Sequence, residues 1–305
     1  MNRSTLSEVN QGLNIRHADP GDGPAFVALF NTYYKRKTSL EYFKWQFFHS
    51  PFESRLFTAF DKDRLVGIYG IKIIPLTNGI VTGFVVDVLI DESYRRRGIG
   101  HLLETEAENF CREKKAAVLS VLPNAAGNAA FKSYGWKSVA KIDTLVMDRP
   151  ILPESDNVPA GWKDPIDPYI EFAKGREFRE WRYDRHPVYK YENIALDNAN
   201  FAITKAFTDP FNGNRYQDIV EIVYNGPAEL RLLLGKIFEK EQAGQTGTLT
   251  VWALPHTPLF GFLSDLGFRA LQQERFFCLK VLDQRIDWLY QVDKWNLSEI
   301  DAEIF

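Results

Sequence analysis

Between Phe84 and Lys115 the sequence changes its period once, and two glycines and three arginines stand at the change. Phe84-Val85-Val86-Asp87-Val88-Leu89-Ile90 is apolar or β-branched except for Asp87, the pattern of a buried strand. Asp91-Glu92-Ser93-Tyr94 and Arg95-Arg96-Arg97-Gly98-Ile99-Gly100 follow. From Ile99 onward Leu102, Leu103, Ala107, Phe110 and Cys111 keep one helical face, and Lys114 and Lys115 close it with the charge a helix C-terminus favours. The first turn of a helix has amides without intrahelical partners and a partial positive charge, so it can hold an anion. Gly98 and Gly100 would let phosphates approach the backbone, and the arginines would add charge-assisted contacts. The ligand expected is a diphosphate; the alternative is a glycine turn beside a solvated basic cluster.

Two familiar phosphate loops do not fit. No Lys-Ser or Lys-Thr follows the glycines, as a Walker A loop needs, and Leu103 stands where a dinucleotide fingerprint has its last glycine. The order Arg95-x-x-Gly98-x-Gly100 after Ile90-Asp91-Glu92-Ser93-Tyr94 instead resembles motif A of the GNAT superfamily of acyl-CoA-dependent acetyltransferases. There the loop wraps the coenzyme A pyrophosphate and the preceding strand pairs with the pantetheine arm. The resemblance implies coenzyme contacts at Val88, Leu89, Ile90, Arg95, Arg96, Arg97, Gly98, Ile99, Gly100 and His101. Asn124, Gly135 and Trp136 match the spacing of motif B, which implies that Asn124 bonds the coenzyme. The tyrosine usual seven residues after that asparagine, the family's general acid, is Phe131 here; the position implies a coenzyme contact without the acid.

Other segments fill out an α/β layout. Asn14–Ala18 reads as a strand, Pro24 opens a helix, Leu40–Phe48 is an aromatic helix, and Leu56–Phe60 and Leu65–Ile74 flank the turn Asp61-Lys62-Asp63. Ala117–Leu122 is a buried strand, Asn128–Trp136 a short helix closed by Gly135, and Val139–Met147 a strand completing the unit. After a Pro-rich stretch the chain repeats itself. Glu177-Phe178-Arg179-Glu180-Trp181-Arg182-Tyr183 before Pro187 matches Glu41-Tyr42-Phe43-Lys44-Trp45-Gln46-Phe47 before Pro51, and Leu254-Pro255 with Gly267-Phe268 matches Leu122-Pro123 with Gly135-Trp136. The second copy has Tyr224-Asn225-Gly226-Pro227 in place of the basic loop and His256 in place of Asn124. The division expected is a leader (1–12), a GNAT domain with the acyl-CoA site (13–148), a linker (149–165) and a degenerate GNAT-like domain (166–305). By the resemblance, each domain is a mixed, mostly antiparallel α/β (α+β) sheet flanked by helices.

A net charge of −3 over 305 residues gives no general attraction to nucleic acid or anionic membranes. Cys111 and Cys278 lie in apolar segments and read as buried thiols, no metal-ligand spacing is present, and no apolar run is long enough to span a membrane. A cytoplasmic location, as monomer or homodimer, is the expectation. The resemblance implies direct transfer of an acetyl or other acyl group from acyl-CoA to a small-molecule or peptide amine, without a metal. Asp87 is the candidate base, since a carboxylate inside an apolar strand needs a reason to be there; a structural acceptor role is the alternative. Tyr134, or else Tyr94, could protonate the leaving thiolate, which could also depart unaided. The competing function is a non-catalytic acyl-CoA sensor or protein-interaction module.

Overall fold

The computed structural model describes residues 12–35, 37–148, 168–209, 213–244 and 247–302. In chain order these form β1 (Leu13–His17), α1 (Gly23–Tyr33), α2 (Leu40–Phe47), β2 (Ser54–Asp61), β3 (Arg64–Pro75), β4 (Val81–Ile90), α3 (Ile99–Glu113), β5 (Val118–Val121), α4 (Ala125–Ser133) and β6 (Lys137–Asp148). The second half supplies α5 (Arg176–Arg179), continued by a π-turn to Asp184, then β7 (Tyr191–Ala195), β8 (Phe201–Thr208), β9 (Arg215–Val223), α6 (Pro227–Gly244), β10 (Thr248–Ala253), α7 (Pro258–Asp265) and β11 (Arg269–Val281). A tail of short 3-10 turns ends the described chain. The expected leader falls almost wholly outside the described residues, and the expected linker falls entirely outside them.

The eleven strands among the described residues belong to one sheet, in the order β1-β2-β3-β4-β5-β11-β6-β10-β9-β8-β7. This order reads as a duplication about its centre. In each half an antiparallel run ends in one parallel pair, β4 with β5 and β9 with β10. The central strands are exchanged: β11 pairs with β5, and β6 pairs with β10. Val139–Met147 therefore does not close its own unit, as the sequence order suggested. It completes the second half, and β11 completes the first. The exchange leaves no ladder open, because β6 and β11 are antiparallel to each other and to their outer neighbours.

Packing follows the exchange. On one face, Ile99, Leu103, Ala107 and Phe110 of α3 meet Phe57, Val66, Val85 and Leu119, and Cys278 of β11 joins them. The matching cluster beneath α6 and α7 takes Leu145 and Met147 from β6. The opposite face is shared by both halves. There Phe26, Phe43 and Phe47 continue through Phe84, Phe172, Trp252 and Phe277 to Trp295 of the tail. The dense aromatics of α2 are thus core.

The duplicated tryptophans meet in this shared core. Trp45 and Trp181 stack with ring centres 4.3 Å apart and planes within 8° of parallel. Each indole donates to the other's carbonyl: Trp45 Nε1 to Trp181 O at 3.0 Å, and Trp181 Nε1 to Trp45 O at 3.1 Å. The pair is almost free of solvent, so both N–H groups are satisfied only while the halves stay docked. Trp181→Ala is expected to lower stability by roughly 3–5 kcal/mol, read by urea unfolding followed through far-UV and near-UV signals. The two signals should move together in one transition, since the halves share a sheet and a core; separate transitions would show that the halves fold independently.

Candidate functional site

The site begins with a bulge in β4. Gly70 pairs with Val86 and Ile68 with Leu89, so Asp87 and Val88 together face Tyr69, and Asp87 takes a left-handed φ of 48°. Beyond Phe84, opposite Ser120, β4 has no further pairing with β5. The Asp91 amide donates to Val66 O, and the ladder's alternation assigns the Leu89 amide to β3 as well. The amides of Val88 and Ile90 accordingly face away from β3, into the gap beside β5. Of the three strand residues expected at the coenzyme, Val88 and Ile90 offer their main chain to that gap. Leu89 does not: its amide belongs to the β3 ladder and its side chain to the shared core.

The loop after β4 is pinned from beneath. Buried Asp91 accepts from Arg64 at 2.6 Å and from the amide and hydroxyl of Ser93, and the Glu92 amide donates to Tyr33 Oη. Tyr94 donates to Asp61 Oδ2 at 2.5 Å, which commits its hydroxyl to structure. Arg95 Nε donates to Ile90 O, and Arg97 donates to Ser93 O and lies over the Tyr94 ring. The chain then turns through left-handed Arg96 (φ 61°) and Gly98 (φ 79°) into α3. Left-handed backbone costs a non-glycine residue roughly 1–2 kcal/mol, so the strain at Arg96 is held by the contacts on either side. All three arginines are exposed. Helical bonding starts with the Leu102 amide on Gly98 O, which leaves the Ile99, Gly100 and His101 amides for another acceptor. The Ile99 side chain is core, whereas Gly100 and His101 line the open side.

Motif B departs from expectation. Asn124 caps α4, accepting the Gly127 amide at 2.9 Å, and remains exposed. Phe131, expected at the coenzyme, is buried against Trp136 with ring centres 5.0 Å apart. Its apolar ring serves the core on that face of α4. Tyr134 lies farther round. A Cβ built on Gly100 would meet its hydroxyl at 2.8 Å, and its ring lies 5.6 Å from that of His101. Burial, then the charge of Glu104, holds the Tyr134 phenol above its ordinary value, so it stays protonated near neutrality. The hydroxyl is thus placed at the first turn of α3.

Asp87 projects to the other face of the sheet, toward α1 and α2. Gln46 Nε2 donates to Asp87 Oδ2 at 3.2 Å, and buried Lys72 donates to Gln46 Oε1 at 2.9 Å. Tyr34 is close by: burial, then the Asp87 charge, raises its phenol, although 43% of the residue is exposed. The sequence signals for Gln46 and Lys72 were one amide in an aromatic helix and one cation in an apolar strand. Glu41 and His49 lie on the exposed outside of α2 and its end.

The exchanged strand buttresses the opposite face. Lys280 of β11 reaches Glu104 Oε1 at 3.2 Å and Glu108 Oε2 at 2.8 Å on α3, and Trp136 Nε1 donates to Glu104 at 2.6 Å. Burial raises the Glu104 carboxyl above its usual value despite these donors. Burial likewise pushes the free Cys111 and Cys278 thiols up, to about 12 and about 11.

The corresponding place in the second half has a different construction. Tyr224–Gly226 are the only residues between β9 and α6, against Asp91–Gly98 in the first half. Helix α6 opens on Pro227, which has no N–H, and Glu229 Oε2 lies 3.2 Å from where a Gly226 Cβ would be. A carboxylate thus stands where the first half presents amides. His256, the counterpart of Asn124, contacts Trp295 O at 2.9 Å. Among the described residues no helix is long and apolar enough to cross a membrane, and no group of three or more His, Cys, Asp or Glu is placed to hold a metal.

Residues 24–136 match the sequence model of the Acetyltransferase (GNAT) family. A GCN5-related N-acetyltransferase from Kribbella flavida shares the fold, with a TM-score of 0.62 at 15% identity over 89% of this chain and 71% of that one. Eis1 from Mycobacterium abscessus superposes with a TM-score of 0.59 at 14% identity, covering 92% of this chain and 76% of its own. A tandem GNAT protein from the clavulanic acid biosynthesis pathway gives 0.59 at 16% identity, over 88% of this chain and 98% of that one. No curated protein matches the sequence. Residues 24–136 thus match a GNAT acetyltransferase family model, and the chain as a whole shares the fold of GNAT structures, a tandem one among them.

Lys280→Met tests the buttress. A carboxyl whose folded pKa is raised loses stability as pH rises through that pKa, and removing the ammonium raises it further. The variant is expected to lose about 1–3 kcal/mol at pH 8, with the loss shrinking at pH 5 as Glu104 takes up a proton. Urea unfolding at the two pH values checks this; equal losses would contradict it.

Proposed function

We propose that the protein transfers an acyl group, acetyl in the simplest case, from acyl-coenzyme A to a primary amine by direct attack in a ternary complex. The observation that carries this reading is one continuous strip of unused main-chain donors: Val88 and Ile90 beside the strand gap, then Ile99, Gly100 and His101 at the start of α3. A thioester carrier with a diphosphate needs both parts of that strip. Arg95, Arg96 and Arg97 supply positive charge around the diphosphate, Gly98 and Gly100 keep the backbone accessible, and Asn124 offers its Nδ2 donors at the mouth of α4. The N–H of Val88 faces the gap where the thioester carbonyl would gather charge, the role of an oxyanion-hole donor.

Asp87 adjoins that donor in sequence and opens toward α1 and α2, where the acceptor amine would enter. An amine with the pKa of free lysine, about 10.4, is neutral only to the order of 0.1% at pH 7, a deficit of about 4–5 kcal/mol. Asp87 takes the amine's proton, directly or through water, as the carbon–nitrogen bond forms and the carbon–sulfur bond breaks. Phe131 has no proton to give and the Tyr94 hydroxyl is engaged with Asp61. Either Tyr134 protonates the sulfur or coenzyme A leaves as the thiolate. Positioning in the ternary complex would then supply much of the rate, a contribution of roughly 7–11 kcal/mol where geometry is good.

The burial of Phe131 favours a second reading, a sensor that binds acyl-CoA without turnover. Calorimetry with acetyl-CoA, followed by thiol release over a panel of amines, separates the two. Gly98→Val is expected to weaken acetyl-CoA binding at least about tenfold, near 1.4 kcal/mol. Asp87→Asn is expected to keep that affinity while kcat falls about 10²–10⁴-fold. Binding with no thiol released on any amine would establish the sensor instead.

A further inference from the structure

We propose that Lys72 is a positioning residue through which the second half of the chain fixes Asp87, by way of Gln46 and the Trp181 ring. The proposal deepens the acyl-transfer reading and rests on it for its catalytic consequence.

The geometry begins with the amide of Gln46, which has a donor end and an acceptor end and could be turned either way. An ammonium has donors only, so of the two ends of the Gln46 amide Lys72 Nζ, at 2.9 Å, can bond only Oε1. That contact leaves Nε2 as the end facing Asp87, at 3.2 Å, and an ionised carboxylate accepts only. Reversing the amide would set an oxygen against the carboxylate and an NH2 against the ammonium. Lys72 therefore selects the single orientation that holds Asp87.

Lys72 is itself held from the second half. It is 1% exposed, and Gln46 is fully buried. The Lys72 Nζ lies 4.1 Å from the centre of the Trp181 ring and 5.8 Å from that of Trp45. A desolvated cation is attracted by the negative face of an aromatic ring, which offsets part of the cost of burying the charge. Trp181 is fixed in turn by its stack and paired hydrogen bonds with Trp45. The route from the second half to Asp87 is thus Trp181, Lys72, Gln46, Asp87. Around the carboxylate stand Tyr34 from the end of α1, Gln46 from α2 and Lys72 behind it from β3; Arg95 acts on Tyr34. This gives the degenerate copy a role in the first copy's chemistry that needs no ligand of its own.

The test uses the full chain and two readouts. Titration of the Asp87 carboxylate by carbon-13 NMR, without ligand, reads the relay whether or not the protein turns over. In Lys72→Met, loss of a cation and of the donor it orients should raise the Asp87 midpoint by about half a unit or more. In thiol-release assays the same variant should lower kcat about tenfold, with the KM for acetyl-CoA changed less than twofold and the acidic limb of the kcat–pH profile moved the same way. Gln46→Met, nearly the same length without the donor, should reproduce the shift and stands in if Lys72→Met fails to fold; Lys72→Arg should restore most of it. An Asp87 midpoint unchanged in both Met variants would overturn the relay. A shifted midpoint in a protein that releases no thiol on any amine would uphold the relay and overturn the acyl-transfer reading.

Discussion

Two tryptophans from the duplicated segments, stacked face to face and hydrogen-bonded to each other's carbonyls, hold the two halves in register. Each indole N–H finds its acceptor on the main chain of the other half, so neither copy of this segment is complete alone. The exchanged strands make the same point along the sheet: the first half's α3 and α4 rest on β11, which arrives from the far end of the chain. Stability and site geometry are therefore joint properties of the two copies.

The copies have diverged where ligands would bind while keeping what docks them. In the first, the chain runs from a bulged strand through a pinned, partly left-handed loop into a helix whose opening amides face solvent. In the second the same turn is cut to Tyr224–Gly226, opens its helix with a proline and folds a glutamate over it. The physical difference is one of sign: amides and arginines in one, a carboxylate in the other. In the function proposed, a diphosphate would sit in the first half and would meet repulsion in the second.

Much of this was legible in the residues. The strand–loop–helix unit and the start of α3 follow from the period change at Ile99, and the duplication follows from Glu41–Phe47 against Glu177–Tyr183. The exchange of β6 and β11 was not legible, because alternation along a strand records which faces are buried and says nothing of its neighbours. Phe131 looked like a coenzyme contact because its sequence position matched the motif, yet an apolar ring beside Trp136 is drawn into the core. Leu89 shares the motif strand with Val88 and Ile90, but strand alternation turns its amide the other way. Gln46 and Lys72 carry no mark in the sequence, because a lone amide or lysine in an apolar run has many structural explanations; only their approach to Asp87 and Trp181 distinguishes them. The left-handed turn at Asp87 was equally hidden, since bulges leave no dependable mark at a non-glycine residue.

In the function proposed, one half of a duplicated fold offers amides to a thioester carrier's diphosphate and the other half does not. The most direct measurement is the stoichiometry of acetyl-CoA binding to the intact chain by calorimetry. One molecule per chain, displaced by free coenzyme A, is expected. Two molecules per chain, or one that remains bound after Gly98 and Gly100 are both replaced by valine, would contradict it.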